Sequence, residues 1–209
     1  MNSDWNLYKD RVKITHFLEQ GFNINGIIHV GANDGYEVEW YLKMGIKNIL
    51  AFEPLLSAIE IFKDTFSKYE NVMLIEYGLG ERNEERELLI SKGDGKSSSF
   101  LHQEKEIFVE TEFANIRRFD ELVDEWKIDM SKYNYLVIDA EGMELPALKG
   151  MGKYLQKFEM MHVECSRTPY YVGDVPAQTV IEFIESQGFQ QDSPIEDHDD
   201  IFFIRKGLK

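Results

Sequence analysis

Asp139 and Glu141 stand two residues apart behind the apolar run Tyr135-Leu136-Val137-Ile138, and His162 and Glu164 repeat that spacing in the run Phe158 to Glu164. Side chains at i and i+2 of a strand point the same way, so each pair faces one rim if its strand persists that far. Three carboxylates and an imidazole brought together could take a proton from a neutral group, hold a cation, or ligate a divalent metal such as magnesium. Hydrogen-bonded carboxylates at strand ends are commoner than ion sites, so the metal is not favoured. Either Asp139 or Glu141 could instead cap the helix beginning near Met143. Cys165 beside them reads as core filling rather than as a nucleophile.

A second constellation runs from Gly26 to Glu37. Ile27, Ile28 and Val30 suit a buried parallel strand, and the Gly31-x-x-x-Gly35 turn opens an amphipathic helix whose first amides can hold a ligand. Glu53, 18 residues past Gly35, ends the apolar run Asn48 to Phe52. That is about where a nucleoside-binding βαβ unit places the acid that accepts both ribose hydroxyls. The turn then selects among adenosine cofactors. A dinucleotide fingerprint needs a second glycine for close pyrophosphate approach, but Asn33 occupies that position and Tyr36 the third, and Asp34 would repel a phosphate. An ammonium and a sulfonium tolerate that acid, so S-adenosyl-L-methionine fits better than NAD. A purely structural turn is the plain alternative. On the cofactor reading Gly31, Ala32, Asn33 and Gly35 approach the methionine part, flanked by His29 and Glu37. Tyr77 and Gly78 sandwich the adenine, and Ser98 is a neighbour.

The elements that must position these residues alternate as strand and helix. Asp4 to Gln20, with Ser3 as cap and Gly21 as stop, predicts a helix over the sheet edge. After the opening strand, Val38, Tyr41 and Leu42 form a short helix ended by Gly45, and Ile59, Phe62 and Phe66 a second one reaching Lys68. Val72 to Ile75 is a third strand. Arg86 to Ser91 and Glu106 to Phe113 form an inserted hairpin around the flexible loop Gly93 to Ser99. Phe119, Leu122, Val123 and Trp126 mark a helix over Arg118 to Trp126. Tyr135 to Ile138 is the fourth core strand, followed by a helix with Leu145, Leu148, Met151 and Leu155 inward and Pro146 in its first turn. Phe158 to Glu164 is the fifth strand. Pro176 starts a helix with Val180 and Ile184 inward and Gly188 at its end, and Ile201 to Arg205 closes the sheet. That pace predicts a doubly wound parallel sheet with its ligand loops on one rim.

At 209 residues and 43% hydrophobic, the chain suits one domain, with 1–25 a helical cover and 26–206 the catalytic core. A net charge of −15 offers phosphate backbones no electrostatic footprint, so nucleic acid is not an expected partner. With Cys165 as the one cysteine no intrachain disulfide can form, which suits a reducing compartment. No apolar run approaches the length of a membrane span and no signal-peptide core opens the chain, so a cytoplasmic location is expected.

The ordered segments IIHVGANDGYE, AFEP, YGLGE, KSSSF, RRFDEL, LVIDAEGMELPALKG and HVECS resemble the FkbM family of S-adenosylmethionine-dependent methyltransferases. The similarity spans Gly26 to Arg205, and its most specific part is Ile138 to Glu144 with Leu148-Lys149-Gly150. The resemblance implies a class I methyltransferase, Rossmann-like α/β sheet of seven mostly parallel strands with helices on both faces and the last strand antiparallel. It also implies transfer to a hydroxyl oxygen. His29 stands where many members have Asp. In that frame Asp139 serves the cofactor amino group or the acceptor hydroxyl, Glu141 is the second candidate base, and His162 and Glu164 complete the catalytic set. Arg167, Tyr170 and Tyr171, past the fifth strand, and His198 in its acidic turn are the expected acceptor contacts. A small-molecule or saccharide acceptor is implied, a sugar or glycan slightly ahead of a polyketide or other natural product. Rival readings are a non-catalytic adenosyl-cofactor binder and an NAD-linked oxidoreductase.

Overall fold

The computed structural model describes residues 12–93, 95–103, 105–195 and 199–209. The first part of the predicted opening helix and His198 lie outside them. Seven strands form the main sheet: β1 (Ile27–Val30), β2 (Ile49–Phe52), β3 (Val72–Ile75), β7 (Tyr135–Ile138), β8 (Met160–Cys165), β9 (Phe189–Gln191) and β10 (Asp199–Arg205). Their order is β3-β2-β1-β7-β8-β10-β9. The strands from β3 to β8 pair in parallel, while β10 pairs antiparallel with both β8 and β9. This is the seven-stranded sheet that the family resemblance implies, and its parallel part is the one the strand and helix alternation predicts. The three-residue strand β9 was not anticipated, because its one buried residue, Phe189, is too weak a periodic signal.

β1, β2 and β7 are buried along their whole length, so their continuous apolar runs serve two layers. Ile28, Val30, Leu136 and Ile138 pack with Phe119 and Leu122 of α4 (Phe119–Trp126), Leu148 of α5 (Glu144–Gly150) and Ile181 of α6 (Ala177–Ser186). Ile27, Tyr135 and Val137 pack with Phe17 of α1 (Thr15–Glu19), Val38 of α2 (Tyr36–Lys43) and Phe62 of α3 (Leu56–Phe66). By the same parity His29, His162 and Glu164 project to the α1–α3 side.

Three expectations change. Helix α1 lies on the sheet face rather than its edge: the Phe17 ring sits 5.9 Å from both Tyr135 of β7 and Phe202 of β10. Trp126 is 46% exposed and rests 6.3 Å from Tyr77 instead of turning inward. The inserted hairpin is longer than expected, with β5 (Glu84–Ser91) antiparallel to β6 (Phe108–Arg117), and β6 adds β4 (Gly78–Leu79) to make a second, three-stranded sheet. Ala114 and Ile116 bury its inner side against Leu55, Leu88, Phe100 and Met143, which ties the insertion to the rim of the main sheet.

Candidate active site

β1 and β7 are parallel neighbours in register, Val30 against Ile138, so the segments that follow them leave the sheet side by side. Gly31 has φ +80°, and a Cβ there would lie 1.7 Å from the Asp139 carbonyl oxygen. The glycine is what lets the two segments touch. Gly31→Ala therefore has to force them apart and strain its own backbone, and we expect a stability loss of about 3 kcal/mol, read from the urea midpoint. A midpoint unchanged from wild type would show the contact to be pliable.

Between these segments and the insertion lies a cleft of about 1030 Å³, its open mouth included. Glu53 forms part of its wall and is only 5% exposed. One carboxylate oxygen accepts the Asn33 amide at 2.7 Å and the other the Leu55 amide at 2.8 Å, so this side chain clasps the turns after β1 and β2. Burial pushes it up to about 7, against the downward pull of the two amides.

The turn itself differs from its sequence expectation. Every backbone amide from Gly31 to Tyr36 already has an internal acceptor. Gly31 and Ala32 donate to the Phe52 carbonyl, Gly35 donates to Ala32, and Asn33 to Glu53. Asp34 donates to the Asn33 side chain at 2.8 Å, and Tyr36 to the Asp34 carboxylate at 3.0 Å. Asp34 thus closes a local turn onto the first amide of α2, and the amides of the turn itself are already engaged. Gly35 does not line the cleft; its missing side chain makes room for the Phe62 and Phe66 rings. Ala32 and Asn33 do line it, with His29 and Glu37 behind them. His29 lies 3.3 Å from the Tyr41 hydroxyl and 3.4 Å from the Glu37 carboxylate. Burial lowers His29 to about 3 and raises Glu37 to about 7, so the imidazole is neutral and this contact is no ion pair at neutral pH.

β7 stops at Ile138, so strand alternation cannot aim Glu141. A left-handed backbone at Glu141, φ +49°, does so instead. Asp139, Glu141 and Glu164 each bring an oxygen to within 4.8 Å of the others. Asp139 and Glu164 share a hydrogen bond, and burial together with the Glu164 charge holds Asp139 well above the usual carboxylate range. Burial and Glu141 raise Glu164 to about 8. Glu141 is lifted to about 7 by burial and the Asp139 charge, while the Tyr171 hydroxyl, which donates to it, pulls the other way. The expected fourth member does not join. His162 turns back under α1, its Nδ1 2.8 Å from the Tyr135 hydroxyl and its Nε2 3.9 Å from Asp200, and burial lowers it to about 4. The helix cap is neither Asp139 nor Glu141. Glu144, the first residue of α5, instead ties down the loop before the helix by accepting the amides of Ala140 at 3.0 Å and Gly142 at 3.1 Å.

Tyr77 and Gly78 stand at the far end of the cleft with Ser98. Leu55, Leu88, Phe100 and Met143 supply its apolar wall and Lys96 its rim, none of which sequence reasoning singled out. Phe100 lies in the KSSSF segment, and that was the available signal. The loop carrying it is pinned at one end: Leu89 and Ser99 exchange backbone hydrogen bonds, and the Ser99 hydroxyl donates to the Glu141 carbonyl at 2.6 Å. Of the expected acceptor contacts, Tyr171 is buried against Glu141, and Tyr170 is 45% exposed beside a small cavity that reaches Glu164. Arg167 points elsewhere and donates to the Ile195 carbonyl. Cys165 is buried, and burial pushes its thiol up, which suits core filling.

A family profile described as methyltransferase FkbM domain matches residues 29–191. The 2-O-methyltransferase NoeI of Sinorhizobium fredii (strain NBRC 101917 / NGR234) is 23% identical over 175 residues, covering 77% of this chain and 71% of that protein. Among solved structures, Aeropyrum pernix fibrillarin with natively bound S-adenosyl-L-methionine aligns with a TM-score of 0.52 at 13% identity, covering 96% of this chain and 76% of that one. The N-methyltransferase NodS of Bradyrhizobium japonicum WM9, in complex with S-adenosyl-l-homocysteine, aligns with a TM-score of 0.51 at 10% identity, covering 99% and 94%. At these identities the structures share a fold with this chain and no more. The profile covers most of the chain, from the histidine of β1 to the end of β9, and the sheet order agrees with it: the chain belongs to the FkbM family of S-adenosylmethionine-dependent methyltransferases.

Proposed function

We propose that this protein methylates a hydroxyl oxygen, most readily that of a sugar or glycan, with Glu141 as the base. The observation that carries this reading is the group Asp139, Glu141 and Glu164 at the inner end of the cleft, within reach of both cavities. The residues present fit the methyl donor. Glu53 keeps about two lone-pair directions after its two amide contacts, enough for a ribose diol. Tyr77 and the apolar wall provide an adenine slot, and the buried carboxylates suit cationic groups. When bound, S-adenosylmethionine supplies an electrophilic methyl group on a sulfonium.

The chain's own task is alignment and proton removal. A neutral alcohol attacks poorly, and a positioned base is worth roughly 10²- to 10⁴-fold. Asp139 and Glu164 are tied to each other by a hydrogen bond, so Glu141, lifted to about 7 and stabilised as a carboxylate by Tyr171, is the group available to accept the acceptor's proton. Tyr171 fixes one of its oxygens and leaves the other free. Tyr170, at the mouth of the adjoining cavity, offers a ring face for a sugar. The O-methylating relative NoeI supports the choice of oxygen.

The test is methyl transfer to hydroxyl-bearing glycans, read by mass spectrometry as the gain of one methyl group. The rate on that acceptor should rise with pH through about 7 and then level, because the base acts only when deprotonated and Glu141 loses its proton there. A product methylated on nitrogen or carbon, or a rate flat across that range, would sink the assignment.

A further inference from the structure

Among the described residues that line the cleft, five are acids, Asp34, Glu37, Glu53, Asp139 and Glu141, and one, Lys96, is a cation. The methyl donor carries three charged groups: a sulfonium, an α-ammonium and an α-carboxylate. The acids account for the first two. The carboxylate, set among five acids, needs a positive partner, since a buried charge left uncompensated costs several kcal/mol. The backbone amides of the turn from Gly31 to Tyr36 are each engaged within the protein already, which favours a side-chain cation to serve the carboxylate.

Lys96 is placed to do so. It rides on the loop of the inserted hairpin, and its Nζ sits 5.7 Å from the centre of the Tyr36 ring, at the start of α2 and next to Glu37. On one side of Lys96, Gly95 packs against Leu55; on the other, Ser99 is held by Leu89 and by the Glu141 carbonyl. The side chain thus extends from a supported loop of the insertion to the first residue of α2, beside the turn after β1. We propose that Lys96 binds the α-carboxylate of the methyl donor, which makes the insertion part of the cofactor site. This rests on the cofactor reading above.

Calorimetry with two thioether nucleosides tests it: S-adenosylhomocysteine, and its decarboxylated analogue with a plain aminopropyl chain. Lys96→Gln keeps a polar, unbranched side chain, one bond shorter, and removes the charge. We expect it to weaken S-adenosylhomocysteine by about tenfold, the loss of one charge-assisted hydrogen bond partly open to solvent, and to change the analogue by less than about twofold. Lys96→Arg should restore most of the loss. Equal weakening of both nucleosides, or no weakening of either, overturns the proposal while leaving the cofactor reading intact. Failure of the wild-type protein to bind either nucleoside overturns both.

Discussion

Glu53→Gln is expected to weaken S-adenosylhomocysteine binding by about 10²-fold in calorimetry at pH 8. The wild-type carboxylate accepts two backbone amides and lines the cleft, where on the proposed reading its remaining lone pairs accept the ribose hydroxyls. In the glutamine variant one oxygen becomes an amide nitrogen. That nitrogen faces the N–H of Asn33 or Leu55, donor against donor, and one ribose hydroxyl loses its charged acceptor. Loss of a hydrogen bond to a charged group plus a buried mismatch comes to about 3 kcal/mol, which is the stated factor. The pH dependence carries the same sign. Burial raises Glu53 to about 7, and ribose hydroxyls donate to its ionised form, so wild-type affinity should fall as pH drops through 7. The variant should lose that part of the slope. Unchanged affinity with an unchanged slope would remove Glu53 from the cofactor site and the nucleoside reading with it.

Glu141→Gln should lower kcat by roughly 10²- to 10⁴-fold while S-adenosylhomocysteine affinity changes by less than about threefold. The substitution preserves shape, and glutamine tolerates the backbone at φ +49° no worse than glutamate. What disappears is the capacity to accept a proton. A companion variant tests the same group from outside the reaction. Tyr171→Phe removes the hydroxyl that stabilises ionised Glu141, so its pKa rises and the acid limb of the rate profile moves to higher pH. A Glu141→Gln enzyme with near wild-type turnover would transfer the role to Glu164, its neighbour in the carboxylate group, which lines the small cavity.

Much of the frame is legible in the chain itself. The runs Ile27–Val30, Ile49–Phe52 and Tyr135–Ile138 are short and wholly apolar apart from His29, and the glycine turn and amphipathic stretches between them leave few arrangements besides a parallel sheet wound on both sides. The spacing from Gly35 to Glu53 is long enough for one helix and one strand, so it places that acid beside the first turn whatever the details of packing. These are consequences of local period and of chain length between neighbours, and both can be read in order along one sequence.

The rest is decided by partners far apart in sequence. Whether the turn's amides await a ligand depends on where the Phe52 carbonyl and the Glu53 carboxylate end up, and they end up on those amides. His162 and Glu164 share one strand face, yet only Glu164 meets Asp139, because the Tyr135 hydroxyl holds His162 beneath α1. Glu141 reaches the group through its own left-handed backbone, and Glu144 folds back onto the amides of Ala140 and Gly142, contacts that no spacing along the chain announces. The insertion brings Leu88, Lys96 and Phe100 to a cleft whose opposite wall lies dozens of residues earlier. Periodicity reports which residues want burial; which buried polar group satisfies which is a competition among all of them at once, and only the folded chain resolves it.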